Sequence, residues 1–133
     1  MTLAWVTSQS VYDYKYSSNR VEVLLYSAQT CQICQGKLVP IFQELSGWSS
    51  ANWQASGLQS SVPMRLSALD TSNNPRPNIA EAQDISNVPY VQMWAPTRLK
   101  YAPLSLAMNF QDAGYNEIRA RLIEWIVTNV NNI

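Results

Sequence analysis

Two cysteines, Cys31 and Cys34, stand three positions apart between an apolar run and a helical pattern. At that spacing they read as a reactive pair more than as part of a disulfide framework. Thiol-disulfide exchange needs a thiolate, and a cysteine on the first turn of a helix has its thiolate stabilised by unpaired backbone N–H groups and the helix dipole. Cys31 stands at that place and is the expected attacking thiol. A second thiol one turn later can attack the mixed disulfide, release its partner and close an internal bridge, so Cys34 is the expected resolving thiol. A purely structural disulfide is the alternative. The chain has no histidine and no third cysteine, which excludes a His/Cys zinc site, a Ser-His-Asp triad and a Cys-His dyad. No metal and no cofactor is expected. Asp70 and Glu22 are the carboxylates considered as proton acceptors during exchange, with a solvated face or a turn cap the expectation for each.

Elements on either side must position this pair. "RVEVLLYS" from Arg20 to Ser27 predicts a strand buried on at least one face. After Ala28-Gln29-Thr30, the apolar positions Cys34, Leu38, Ile41, Phe42 and Leu45 keep one helical face, with Thr30 as N-cap and a kink expected at Pro40. Ser46 to Val62 reads as a long mobile loop. Its Trp48, Trp53 and Leu58 are candidates to wall a peptide groove, against a core-capping role for Trp48. "MRLSALD", Met64 to Asp70, predicts a second strand, Ile79 to Ile85 a short helix, Val88 to Trp94 a third strand, and Leu104 to Met108 a short strand antiparallel to the third. Tyr115, Ile118, Leu122, Trp125, Ile126 and Val130 predict a final amphipathic helix with Asp112 as cap. Trp94 and Trp125 are assigned to the core. The order β, α, β, short α, β, β, α predicts a mixed sheet flanked by helices, the α/β class, preceded over 1–19 by an irregular segment or a short edge strand.

The 133 residues predict one domain spanning 1–133. Nine Lys plus Arg balance nine Asp plus Glu, and only 14% of residues are charged, which argues against nucleic acid or an anionic membrane surface as partner. No apolar run approaches the ~20 residues that span a bilayer, since Glu22, Arg65 and Glu124 interrupt the most apolar segments. No secretory leader is recognised in residues 1–20, which by itself leaves the compartment open.

With "CQIC" opening the first long helix and "NVPYVQMW" beginning a late strand, Arg20 to Val130 resembles a thioredoxin-superfamily domain. The resemblance implies a thioredoxin-like fold and a cis bond at Val88-Pro89, which would bring the backbone of Val88 beside the cysteines to pair with an extended peptide. The segment departs from ordinary thioredoxins: no Trp precedes Cys31, Gln-Ile separates the cysteines, and no acidic residue holds the usual buried strand position. "CQICQGKLVPIFQELSGW", "MRLSALD" and "LIEWIVTNVNNI" together resemble a narrower family, the thioredoxin-domain subunit of the eukaryotic oligosaccharyltransferase complex, in its fungal form. That resemblance implies an endoplasmic-reticulum lumenal domain of a membrane-anchored protein, with Cys31 and Cys34 as redox pair and Val88 with Pro89 as peptide-binding edge. It implies as partners nascent, cysteine-containing polypeptides, captured to aid N-glycosylation, and the other subunits of the complex. A free-standing disulfide oxidoreductase, a sulfhydryl-oxidase redox domain, and a peptide-binding module with a structural disulfide are the competing functions.

Overall fold

The computed structural model describes residues 3–16, 19–83, 85–97, 99 and 102–133. Among the described residues, five strands form one sheet in the order β1-β3-β2-β4-β5. The central strand, β2 (Val21–Ser27), is buried along its whole length, as its run of apolar residues predicts. It pairs in parallel with β3 (Met64–Asp70), from Val21 opposite Met64 to Ser27 opposite Asp70, and antiparallel with β4 (Tyr90–Trp94), with Tyr26 opposite Tyr90. The short strands β1 (Ala4–Trp5) and β5 (Leu104–Ser105) close the two sides, β5 running antiparallel to β4.

Successive residues of a strand face opposite ways, and the two faces bury different elements. Val21, Val23 and Leu25 pack with Leu66, Ala68, Val91 and Met93 beneath α2 (Val39–Ser46), α3 (Ser50–Ala55) and α5 (Tyr115–Asn131). On the other face, Leu24, Tyr26, Leu69 and Trp94 meet α1 (Ser8–Tyr16) and α4 (Ala80–Gln83). Trp94 and the α2 stripe are buried as expected; the α5 stripe is buried from Ile118 to Val130, with Trp125 partly so, whereas Tyr115 at its start is exposed.

Several elements differ from expectation. Among the described residues of 1–19, the short edge strand is present as β1, and α1 adds a helix in place of an irregular start. Only Val11 and Tyr14 of α1 face inward, so the helix has too thin an apolar stripe to stand out in the sequence. Ser46 to Val62 contains α3 in place of a continuous loop. Ser49 caps it, its hydroxyl accepting from the Asn52 N–H at 3.3 Å while the Asn52 side chain accepts from the Ser49 N–H at 3.0 Å. Gly57, at φ 105°, ends it in a conformation that favours glycine. The last helix begins one residue after Gly114, which holds the cap position with no side-chain hydrogen bond; Asp112 instead accepts from Asn109 at 2.8 Å. At Pro40 the helix continues, and the perturbation lies just upstream as a π-helical turn over Cys34–Leu38, in which the Val39 N–H reaches back to the Cys34 carbonyl. A wider turn relieves the clash between a helical proline ring and the carbonyl four residues before it.

Candidate functional site

Cys31 follows β2 through a turn in which its N–H donates to the Ala28 carbonyl at 3.1 Å. The helix begins at the next residue, so Cys31 rather than Thr30 holds the cap position. Its sulfur does what a capping oxygen does elsewhere, accepting from the Cys34 N–H at 3.1 Å. The two cysteines form a disulfide with their Cα atoms 5.2 Å apart. Cys34 is fully buried, whereas Cys31 is half-buried. One sulfur is therefore reachable and lies against the positive end of a helix, and the other is shielded behind it.

The loop carrying Cys31 is fixed from two sides. The turn after β3 holds the end of β2: the Thr71 N–H and hydroxyl both donate to the Ser27 carbonyl, at 2.8 and 2.9 Å. The Gln29 N–H donates to the Ser72 hydroxyl at 2.9 Å and the Gln29 amide to Asp70 at 3.0 Å. Asp70 also accepts from the Ser72 N–H at 2.9 Å and from Asn73 at 3.0 Å, so it is the turn cap expected of it. From the helix side, Gln35 donates to the Ala28 carbonyl at 2.9 Å, and Lys37 ties the π-helical turn to the Ala113 carbonyl at 2.8 Å. Gln29, Gln35 and Lys37 carry no sequence motif. The available signal was positional, because helical side chains lean toward the N-terminus and Gln35 stands one turn past the loop.

The Val88-Pro89 bond is cis. β4 begins at Tyr90, two residues later than expected, so both residues lie ahead of the strand. Because Tyr90 lies opposite Tyr26, the cis bond and the cysteine loop sit at the same end of the sheet. No backbone hydrogen bond engages Val88 among the described residues, and its side chain packs on the Leu24 and Tyr26 cluster.

Other candidates lie elsewhere. Glu22 is not on a solvated face: it is 1% exposed, held by Arg20 at 2.8 Å and Arg65 at 3.0 Å. The reason is that α1, unseen in the sequence, covers that face. Glu22 lies near the start of β2, some five residues before its cysteine end, at ~3.3 Å per residue. Trp48, Trp53 and Leu58 do wall a cavity of about 490 Å³, with the two indole rings edge to face at 4.8 Å. It opens between the end of α2, at Leu45, and the start of β3, at Met64. Eleven helical residues at ~1.5 Å each separate Leu45 from Cys34, so this cavity is not a groove beside the disulfide. Trp53 is buried and Trp48 packs partly buried on the core, in keeping with the core-capping role.

No protein-family description matches the chain, nor does any curated protein. Solved structures do. The chain overlays a mutant thioredoxin from Halobacterium salinarum NRC-1 with a TM-score of 0.62 at 17% identity, over 99% of this chain and 93% of that one. It overlays human ERp44 in its zinc-bound form with a TM-score of 0.58 at 13% identity, over 94% of this chain but 30% of that one. The J-Trx1 fragment of ERdj5 gives 0.62 at 10% identity, over 96% of this chain and 50% of the fragment. The chain thus spans under a third of ERp44, half of the ERdj5 fragment and nearly all of a thioredoxin. The sheet order and these overlays agree: this chain has the thioredoxin fold, with the Cys31–Cys34 disulfide at the start of its first long helix.

Proposed function

We propose that this is a thiol-disulfide exchange domain that holds cysteine-containing polypeptides through Cys31. The observation that carries the reading is the asymmetry of the disulfide, with Cys31 half-buried at the helix cap and Cys34 fully buried. A client thiolate attacks the Cys31 sulfur, the Cys31–Cys34 bond breaks, and its electron pair leaves on Cys34, which takes a proton from water. The product is a mixed disulfide. If the Cys34 thiolate then attacks the Cys31 sulfur, the client leaves as its thiolate with no net oxidation. If a second client thiolate attacks the client's own sulfur, Cys31 leaves as a thiolate, the client gains a disulfide and the domain is reduced by two electrons. Val88, at the same end of the sheet and without a backbone hydrogen bond among the described residues, offers an extended client main-chain hydrogen bonds during either course.

The wider setting rests on the resemblance of "CQICQGKLVPIFQELSGW", "MRLSALD" and "LIEWIVTNVNNI" to the oligosaccharyltransferase subunit. On that basis the domain works in the endoplasmic-reticulum lumen, keeping nascent chains extended near the glycosylation complex. A free-standing oxidoreductase is the second reading, favoured by the near-complete overlay on a thioredoxin. Four hydrophobic spans downstream in the reading frame support the first, a stop codon supports the second, and a flavin-binding helical domain marks a sulfhydryl-oxidase redox domain instead.

The deciding experiment uses Cys34→Ser protein, whose single thiol is Cys31, challenged with a disulfide-linked peptide. A covalent adduct that resists alkylation and is released by dithiothreitol is expected. Absence of the adduct, with Cys31 free to react with iodoacetamide, rejects exchange and leaves a binding module with a structural disulfide.

A further inference from the structure

Gln35, the residue after the second cysteine, is exposed, yet its amide is not idle. The nitrogen donates to the Ala28 carbonyl at 2.9 Å, with the Ser27 hydroxyl at 3.5 Å. Ala28 is the residue whose carbonyl also accepts the Cys31 N–H, at 3.1 Å. One carbonyl oxygen therefore receives two donors, one from the backbone of the cysteine itself and one from a side chain of the following turn. The Gln35 N–H in turn donates to the Cys31 carbonyl at 3.0 Å. Residues 28–35 close into a ring with Cys31 inside it, and the side-chain bond is the only part of that ring not made by backbone.

We propose that Gln35 is a positioning residue for Cys31, fixing its sulfur at the helix cap so that the reduced form is held as a reactive thiolate; this rests on the exchange reading above. The Cys34 N–H aimed at the Cys31 sulfur at 3.1 Å stabilises negative charge only while that sulfur stays in line with it, since a hydrogen bond weakens steeply off axis. The ties from Thr71 to Ser27 and from Gln29 to Ser72 run to the turn after β3, so toward the helix the Ala28 carbonyl has one backbone bond, from the Cys31 N–H. The Gln35 amide supplies a second anchor from the helix, so the turn moves with the helix N-terminus rather than against it. A lower thiolate pKa stabilises the reduced pair and makes the disulfide more readily opened. Gln35 thus tunes the pair without touching a substrate.

The test is the pH profile of Cys31 alkylation in dithiothreitol-reduced protein, with thermal unfolding alongside. Gln35→Met keeps length and loses the donor; its alkylation midpoint is expected to rise, with the rate at pH 7 falling about threefold, the scale of one net hydrogen bond. Gln35→Glu is expected to raise the midpoint further, because a carboxylate faces the carbonyl and opposes a nearby thiolate. Leu45→Ala, which loosens the far end of the same helix, is expected to lower the unfolding temperature and leave the midpoint where it was. An unchanged midpoint in Gln35→Met, or an equal rise in Leu45→Ala, overturns the positioning role while the exchange reading stands. A wild-type Cys31 that titrates as an ordinary thiol, near 8.5, likewise overturns the held thiolate, whereas only absence of the Cys34→Ser adduct overturns the exchange reading.

Discussion

The two faces of the central sheet are built from different materials. Beneath α2, α3 and α5 every inward residue of β2 from Val21 to Leu25 is aliphatic, and the contacts from β3 and β4 are Leu66, Ala68, Val91 and Met93. Beneath α1 and α4 the buried positions include Glu22, Ser67 and Gln92, beside Tyr14 and Tyr26. Their polar atoms are paired: Arg65 donates to Glu22 at 3.0 Å and to the Tyr14 hydroxyl at 2.8 Å, the Tyr14 and Ser67 hydroxyls lie 3.4 Å apart, and Tyr26 donates to Gln92 at 3.0 Å. One face is held by packing and tolerates loss of shape poorly. The other is held by partners and tolerates loss of a partner poorly. The helix that carries the cysteines lies on the first kind of face, where the residues it buries are apolar and its polar ties, from Gln35, Lys37 and Glu44, run along its rim.

The sharpest test of that contrast is Phe42→Ala, which empties a fully buried site under α2; urea unfolding at pH 7 is expected to show a loss of about 3–5 kcal/mol. On the other face, Arg65→Met is expected to cost about 2 kcal/mol. That is less than the ~3–5 of a wholly orphaned buried charge, because Arg20 still holds Glu22. Adding Glu22→Leu to Arg65→Met should recover most of that loss, to within ~1 kcal/mol of wild type, since an apolar pair has no charge to orphan. Failure of the double variant to recover would mean that the network is needed for packing as well as for charge.

The smallest effects are electrostatic. At Glu81, burial pushes the carboxyl up, but the hydrogen bond from Lys15, a backbone hydrogen bond and the ammonium charge outweigh it and hold the group below the usual carboxylate range. A carboxylate whose pKa falls on folding contributes stability above its unfolded value and loses it as the pH falls through the folded one. Lys15→Met is therefore expected to cost up to ~1 kcal/mol at pH 7, and the gap to wild type should close by about pH 2. Glu44 is likewise held low by its hydrogen bonds to Arg119. That pair is more than a third exposed, so Arg119→Met is expected to change stability by less than ~0.5 kcal/mol, and less again in high salt.

The same contrast divides what sequence reveals from what it hides. The stripe Leu38, Ile41, Phe42 and Leu45 and the strand Val21–Ser27 announce themselves by period, because a face held by packing must repeat its apolar residues. With them come the cysteine pair and, through the resemblance, the cis bond at Val88-Pro89, now seen in the structure. The helix Ser8–Tyr16 is hidden because only two of its residues are buried, and its absence from the sequence reading is what left Glu22 looking solvated. Gln35 and Gln29 escaped for a further reason. Each bonds to a group fixed by chain geometry, the Ala28 carbonyl or the Asp70 carboxylate, and no residue pattern marks where a carbonyl will point.

The sheet's outer strands have a consequence of their own. β1 and β5 are two residues each, and Pro103, which has no N–H to offer, immediately precedes β5. A sheet edge is a template on which another chain can accrete, and short edges beside proline blunt it. For a domain whose proposed clients are unfolded polypeptides, that matters more than for most. It can meet extended chains without seeding a growing ribbon of strands, and any lasting hold on them must come through a bond that chemistry can reverse.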